Sequence, residues 1–253
     1  MPGRLTRRLA GAGLAGVAAA YAGPAAASVG PLRRAVMPGL AGQGRADHLA
    51  LTYDDGPDPR TTPLFLDLLE RYDRHATFFL LGTYAEQYPA LTAEIAARGH
   101  EVAVHGWTHR CTARLRPRTL REDLARTRGL LQDLTDQPVR WYRPPYGVLT
   151  GPALWAAHDT GLETVLWSAW GRDWERSATP SRVVRRVHRT ARPGGTVLLH
   201  DTDRTSAPGS WAITLEASDR LLRGWAGQPV GRLDEHRKPA GHDVRWHDDR
   251  GGG

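Results

Sequence analysis

From Arg45 onward, short apolar runs of β character recur about every 25 to 30 residues, separated by segments of helical period. That alternation is the pattern of βα units built around a parallel sheet, and six such units can be read. Their strands are predicted at residues 48–55, 76–82, 101–106, 140–146, 162–169 and 195–201, each short and rich in Val, Leu, Phe or Trp. Between them, Leu64, Leu68 and Leu69, and Leu120, Leu124, Leu130, Leu131 and Leu134, keep the i, i+3, i+4 spacing of one helix face. Thr61-Thr62-Pro63 and Thr179-Pro180 predict helix starts, each a cap residue ahead of a first-turn proline. A last helix is predicted over residues 212–226.

The chain has 253 residues, 40% apolar and 24% charged, a globular composition that excludes disorder and collagen-like repeats. Apart from one Ala/Gly-rich stretch near the start, no window has the length and apolarity of a membrane-spanning helix. Cys111 is the single cysteine, so an internal disulfide is excluded and any metal chemistry must use His and carboxylates. The net charge of +7 is almost wholly arginine, since Lys238 is the only lysine; without Arg4, Arg7 and Arg8 it falls to +4. Elsewhere arginines are interleaved with acids, as in Arg121-Glu122-Asp123, the pattern of a solvated helix face. No nucleic-acid partner is expected, although the basic balance can favour an anionic polymer.

Residues 1–27 have a basic start, an uncharged run from Leu9 to Gly23 and the small residues Ala25-Ala26-Ala27, the pattern of a secretory signal. Arg7-Arg8 is a partial twin-arginine match, so export by the general secretory or the twin-arginine route is expected, with no stable span after cleavage. The organisation read from the sequence is a signal peptide over 1–27, a linker over 28–44, one domain over 45–226 and a flexible polar tail over 227–253. A monomer is expected, secreted or associated with the cell wall.

Asp54-Asp55, His105, Arg143 and His200-Asp201 all fall at or just past the C-terminal ends of predicted strands. In parallel α/β barrels those ends form one rim that carries the chemistry. Asp54 and Asp55 end an apolar strand before a Gly56-Pro57 turn, and adjacent strand residues face opposite ways. One carboxylate can therefore bind a metal while the other reaches toward a bound water. His105 and His109 place two imidazoles four residues apart, close enough to grip one ion, with Asp55 on a neighbouring strand as a third ligand. Read singly, Asp-Asp-Gly-Pro could be a strand-capping turn, and Trp141-Tyr142-Arg143-Pro144-Pro145-Tyr146 a proline-stiffened aromatic loop.

Together, five segments between Thr52 and Asp201 resemble, in order, the motifs of the polysaccharide deacetylase family, the NodB-homology domain of carbohydrate esterases. The resemblance implies an α/β fold, a distorted (β/α) barrel of about seven parallel strands. It also implies metal-dependent removal of N-acetyl groups from amino-sugar polymers such as peptidoglycan or chitin-like oligosaccharides. Carried over by position, Asp54 would be the general base. Asp55, His105 and His109 would hold one divalent metal ion, Zn²⁺ first, with Co²⁺ or another first-row metal as alternatives. Arg143 resembles the arginine that pairs with and orients the base, and the Tyr146 N–H the oxyanion donor. His200 resembles the general acid, with Asp173 as its acidic partner, Trp174 as a wall and Leu198 lining the acetyl pocket.

Three positions depart from the family pattern. Tyr53 stands for Phe and needs a partner for its hydroxyl; Gly106 stands for a Ser or Thr that helps fix the loop of the second histidine; Trp170 replaces a polar residue and could narrow the groove. Trp141, Trp155 and Trp167 are assigned to the core, Cys111 to a small buried site, and His236, His242 and His247 to a solvated tail. Other readings of the same site are an O-acetyl glycan esterase, a small-amide C–N hydrolase and a wall-binding module without catalysis.

Overall fold

The computed structural model describes residues 37–236. The predicted signal segment, His242 and His247 lie outside the described residues.

The sheet is built from β1 (Leu49–Asp54), β2 (Thr77–Leu81), β3 (Glu101–Gly106), β4 (Trp141–Tyr142), β5 (Glu163–Thr164), β6 (Ala169–Trp170) and β7 (Thr196–His200). They run parallel in the order β5-β4-β3-β2-β1-β7-β6, and β8 (Val230–Gly231) joins the start of β1. Among the described residues seven helices cover the sheet: α1 (Thr62–Arg71), α2 (Gly82–Gln87), α3 (Pro89–Ala97), α4 (Pro117–Thr135), α5 (Gly151–Asp159), α6 (Pro180–Thr190) and α7 (Ser210–Gly224). The result is the distorted barrel of parallel strands that the sequence predicts. α1, α3, α4, α5 and α6 each carry proline in the first turn, where no N–H is needed. Thr179 caps α6 by accepting from the Arg182 N–H, but Thr61 makes no cap bond to α1.

The period of two along each strand decides what reaches the barrel interior. Leu49, Leu51 and Tyr53 of β1, Phe78 and Leu80 of β2, Val102 and Val104 of β3, and Val197 and Leu199 of β7 join the core beneath the helices. The alternate residues face inward, where Ala50, Phe79, Ala103, Trp141, Val165 and Leu233 form a smaller cluster. Above that cluster the interior positions become polar: Thr52 and Asp54 on β1, His105 on β3 and His200 on β7. The Tyr53 hydroxyl finds its partner in Ser218 Oγ on α7, at 3.0 Å.

Four expectations are corrected. The strand predicted over 162–169 is two short strands at opposite sheet edges, because residues 165–168 cross the opening between them. There Val165 donates to the Tyr142 carbonyl, Leu166 to Leu40 and Ser168 to Thr196. The strand predicted over 140–146 stops at Tyr142, since Pro144 and Pro145 have no N–H for a ladder. Leu64 is 40% exposed, and α1 instead buries Phe65, Leu66, Leu68 and Leu69. Finally, neither the end of the predicted linker nor the start of the predicted tail is loose. Leu40 packs against the core and Ala41 is fully buried. Beyond α7, Val230 pairs with Leu49, Leu233 enters the inner cluster and donates to Thr77 Oγ1, and His236 is buried. His236 Nε2–H donates to the Gly194 carbonyl and its Nδ1 lies 3.0 Å from His48 Nδ1.

Residues 230–236 thus close the barrel floor, and Leu233→Ala should lower unfolding free energy by about 2–4 kcal/mol in urea titration. A loss under about 0.5 kcal/mol, ordinary for a surface change, would contradict this packing.

Candidate active site

The groups on the inner face of β1, β3 and β7 converge in a cavity of about 310 Å³ at the C-terminal rim. Asp54 and Asp55 both line it, against the expectation that neighbouring carboxylates diverge. The reason lies in the backbone: Asp55 leaves β1 with φ +80°, which breaks the strand alternation and turns the second side chain to the same side. Asp55 Oδ1 then lies 3.2 Å from His105 Nε2 and 3.4 Å from His109 Nε2.

This cluster has the chemistry of a cation site. His105 Nδ1–H donates to the Arg143 carbonyl at 2.8 Å, which orients the ring with Nε2 toward Asp55. His109 is pushed down to about 4, by burial first and then by the nearby His105, so it is neutral at ordinary pH. Burial opposes ionisation of Asp55, but the imidazoles of His105, His200 and His109 around it hold its carboxyl below the usual range. The hydroxyl of Thr205, on the loop after β7, donates to Asp55 Oδ2. Asp55 Oδ1 is buried with no hydrogen-bond partner among the described residues. One carboxylate oxygen and two imidazole nitrogens therefore face one another within 4.8 Å, a donor set that fits a first-row divalent metal ion.

Two buried pairs flank the cluster. On one side Arg143, fully buried, donates to Asp54 Oδ1 at 2.6 Å, to Thr52 Oγ1 at 2.8 Å and to the Leu166 carbonyl at 3.0 Å. Its guanidinium lies 3.9 Å from the Phe79 ring centre. On the other side the buried Asp173 accepts from the His200 backbone N–H at 2.8 Å and from Thr214 Oγ1 at 2.9 Å. It also sits 3.2 Å from His200 Nδ1, so Nδ1–H donates to it and Nε2 is left facing the cavity. Burial pulls His200 down, yet Asp173 and then Asp55 and Asp54 outweigh it and raise it to about 10.

The second histidine's loop is held without the missing hydroxyl. Gly106 has φ +110°, open to glycine alone, so a Ser or Thr there would be strained. Trp107 secures the loop instead. A Cβ on Gly82 would come within 2.4 Å of its ring, Arg126 stacks 3.4 Å from its centre, and its carbonyl accepts from the Thr83 N–H.

The remaining predicted site residues also line the cavity. Leu198 is buried at its base, and the Trp174 ring stands edge-on to His200 with centroids 5.3 Å apart. Tyr146 has φ +61°, its ring is 64% exposed with its centre 4.4 Å from that of His109, and the bonds closing its turn come from Gly147 and Val148. Three tryptophans line one wall, Trp167, Trp170 and Trp174, with successive centroids 5.8 and 5.5 Å apart. Trp167 is thus a groove residue and not core, and Trp155 is 56% exposed on α5; of the three assigned inside, Trp141 alone is buried. Cys111 is half-buried at the rim. Thr205 and Thr214 belong to no recognisable motif, and only their place opposite Asp55 and Asp173 reveals them.

The polysaccharide deacetylase family model matches residues 41–165. The chain is 40% identical over 152 residues to a chitooligosaccharide deacetylase of Bradyrhizobium sp., covering 60% of this chain and 69% of that protein. It is 32% identical over 190 residues to the peptidoglycan-N-acetylmuramic acid deacetylase PdaC of Bacillus subtilis, covering 75% of this chain but 39% of that longer protein. Among solved structures, BA3943, a CE4 family pseudoenzyme from Bacillus anthracis, superposes with a TM-score of 0.66 at 29% identity, over 75% of this chain and 65% of that one. Fold, strand-end chemistry and sequence likeness agree: the chain belongs to the polysaccharide deacetylase family.

Proposed function

We propose that this protein is a metal-dependent hydrolase that removes N-acetyl groups from amino-sugar polymers and releases acetate. The observation that carries the reading is the meeting of Asp55, His105 and His109 between an aspartate–arginine pair and a histidine–aspartate pair. The fold alone would not suffice, since a pseudoenzyme shares it.

A divalent cation held by Asp55, His105 and His109, zinc in this reading, would supply Lewis acidity toward the acetyl carbonyl and the attacking water. Asp54 takes the proton of that water, and Arg143 fixes its carboxylate in one orientation through the bond to Oδ1. The Tyr146 N–H, which closes no backbone turn of its own, donates to the oxygen that gains charge as the acetyl carbon becomes tetrahedral. His200, kept as an imidazolium by Asp173, gives the Nε2 proton to the departing nitrogen. Leu198 offers an apolar floor for the acetyl methyl, and the tryptophan wall offers faces for sugar rings. The names of the relatives and the N-terminal signal pattern support a place of action outside the cell, on peptidoglycan or a chitin-like glycan.

Purified protein should release acetate from N-acetylglucosamine oligomers or peptidoglycan, lose that activity to a chelator and regain it with Zn²⁺ or Co²⁺. Folded, metal-loaded protein that releases none from either would contradict the reading, and release from O-acetylated glycans alone would favour the esterase. Asp54→Asn and His200→Ala should each lower kcat by about 10²–10⁴-fold with the circular dichroism spectrum intact, as loss of a proton-transfer group does. Near-native turnover in either variant would remove that residue from its role.

A further inference from the structure

Beside the catalytic cavity lies a second basin of about 550 Å³, lined by His109, Arg110, Cys111, Arg114 and Tyr146. It shares His109 and Tyr146 with the catalytic cavity, so the two are compartments of one groove separated by the exposed Tyr146 ring. Its charged groups are Arg110 and Arg114, both exposed. Of the arginines that follow on α4, Arg118 pairs with Glu122, Arg121 with Asp159 and Arg126 with Glu86, while Arg128 donates to the Val139 and Thr160 carbonyls. Arg110 and Arg114 form no salt bridge and no side-chain hydrogen bond among the described residues. Asp123 on α4 is within electrostatic reach of Arg110 but is not paired with it. The segment carrying both arginines is also rigidly seated. Thr112, between them, is buried and its hydroxyl donates to the Val148 carbonyl at 2.7 Å, which ties this wall to the Tyr146 turn.

Two unmatched guanidinium groups on a fixed wall, beside the place where an acetylated sugar reacts, form a receptor for a carboxylate. We infer that this basin binds a carboxylate-bearing sugar next to the reacting residue, so that the preferred polymer carries acidic ether substituents on its amino sugars rather than being a neutral chitin-like chain. This specificity rests on the deacetylase reading; the charge of the basin does not. The wall of Trp167, Trp170 and Trp174 belongs to the catalytic cavity and serves sugar faces of any charge, which leaves the basin as the element that discriminates.

The test is equilibrium binding on a His200→Ala background, so that ligand is not consumed. The probes are peptide-free peptidoglycan glycan strands with free lactyl carboxylates, and the same strands with those carboxyls reduced to alcohols. An exposed site of two arginines should favour the carboxylated strands by about 3- to 10-fold at low ionic strength, a preference that shrinks in high salt. Arg110→Gln/Arg114→Gln should abolish the preference while binding reduced strands as before, and Arg110→Lys/Arg114→Lys should keep part of it. Equal affinity for the two strands, binding of neither, or a preference that survives the glutamine substitutions would overturn the inference. Acetate release by the unsubstituted protein is scored separately. Its absence beside an intact charge preference would refute the deacetylase reading and leave the carboxylate site standing.

Discussion

Arg143 and Asp54 form the buried ion pair on which the rest of the site depends. An arginine with no exposed surface inside a barrel is costly to desolvate, and that cost is offset only when its donors are used and its partner is fixed. Here Thr52, Asp54 and the Leu166 carbonyl accept from its two terminal nitrogens and the Phe79 ring covers one face, while its Nε–H has no partner among the described residues. The same residue's backbone carbonyl fixes the tautomer of His105, one of the three cation-site residues. A single residue thus sets the orientation of the carboxylate at β1 and of the imidazole at β3. Removing one partner of such a pair leaves a buried charge without compensation, a loss of about 3–5 kcal/mol.

A second constraint is the left-handed backbone at Asp55. A strand that kept its alternation would send Asp54 inward and Asp55 among the helices, and the two carboxylates could not serve one site. The turn at φ +80° brings both into the cavity with different company: Asp54 faces Arg143, while Asp55 faces three imidazoles and the Thr205 hydroxyl. A division of labour between adjacent residues follows from their surroundings. On the far side, Asp173 performs for His200 what Arg143 performs for Asp54, with Thr214 as its own support.

Much of this was legible in the sequence, and for identifiable reasons. β1, β3 and β7 are apolar runs ending in charged residues, so both the strands and the rim they build could be read from spacing. The departures of Tyr53 and Gly106 also have readable consequences, a hydroxyl that reaches Ser218 and a backbone angle only glycine accepts. What stayed hidden depends on tertiary placement. The crossing of residues 165–168 looks like a continuous strand because Val165 and Leu166 are apolar and buried as strand residues are. It is also why Trp167 reads as core when it lines the groove. Residues 227–236 are polar and glycine-rich, as a loose tail would be, yet Val230, Leu233 and His236 find a floor to close. Thr205 and Thr214 carry no local pattern at all.

The division between the two neighbouring aspartates is the central claim, and the metal content of Asp54→Asn and Asp55→Asn tests it most directly. Each variant would be stripped, equilibrated with Zn²⁺ over a concentration series and assayed for bound zinc. Loss of a mere supporting group around a metal costs about 10–100-fold in affinity, so loss of a ligand should cost at least about 100-fold. The account predicts one zinc per chain at near-native affinity in Asp54→Asn, and affinity reduced by at least that factor in Asp55→Asn. Zinc retained by Asp55→Asn and lost by Asp54→Asn would contradict it.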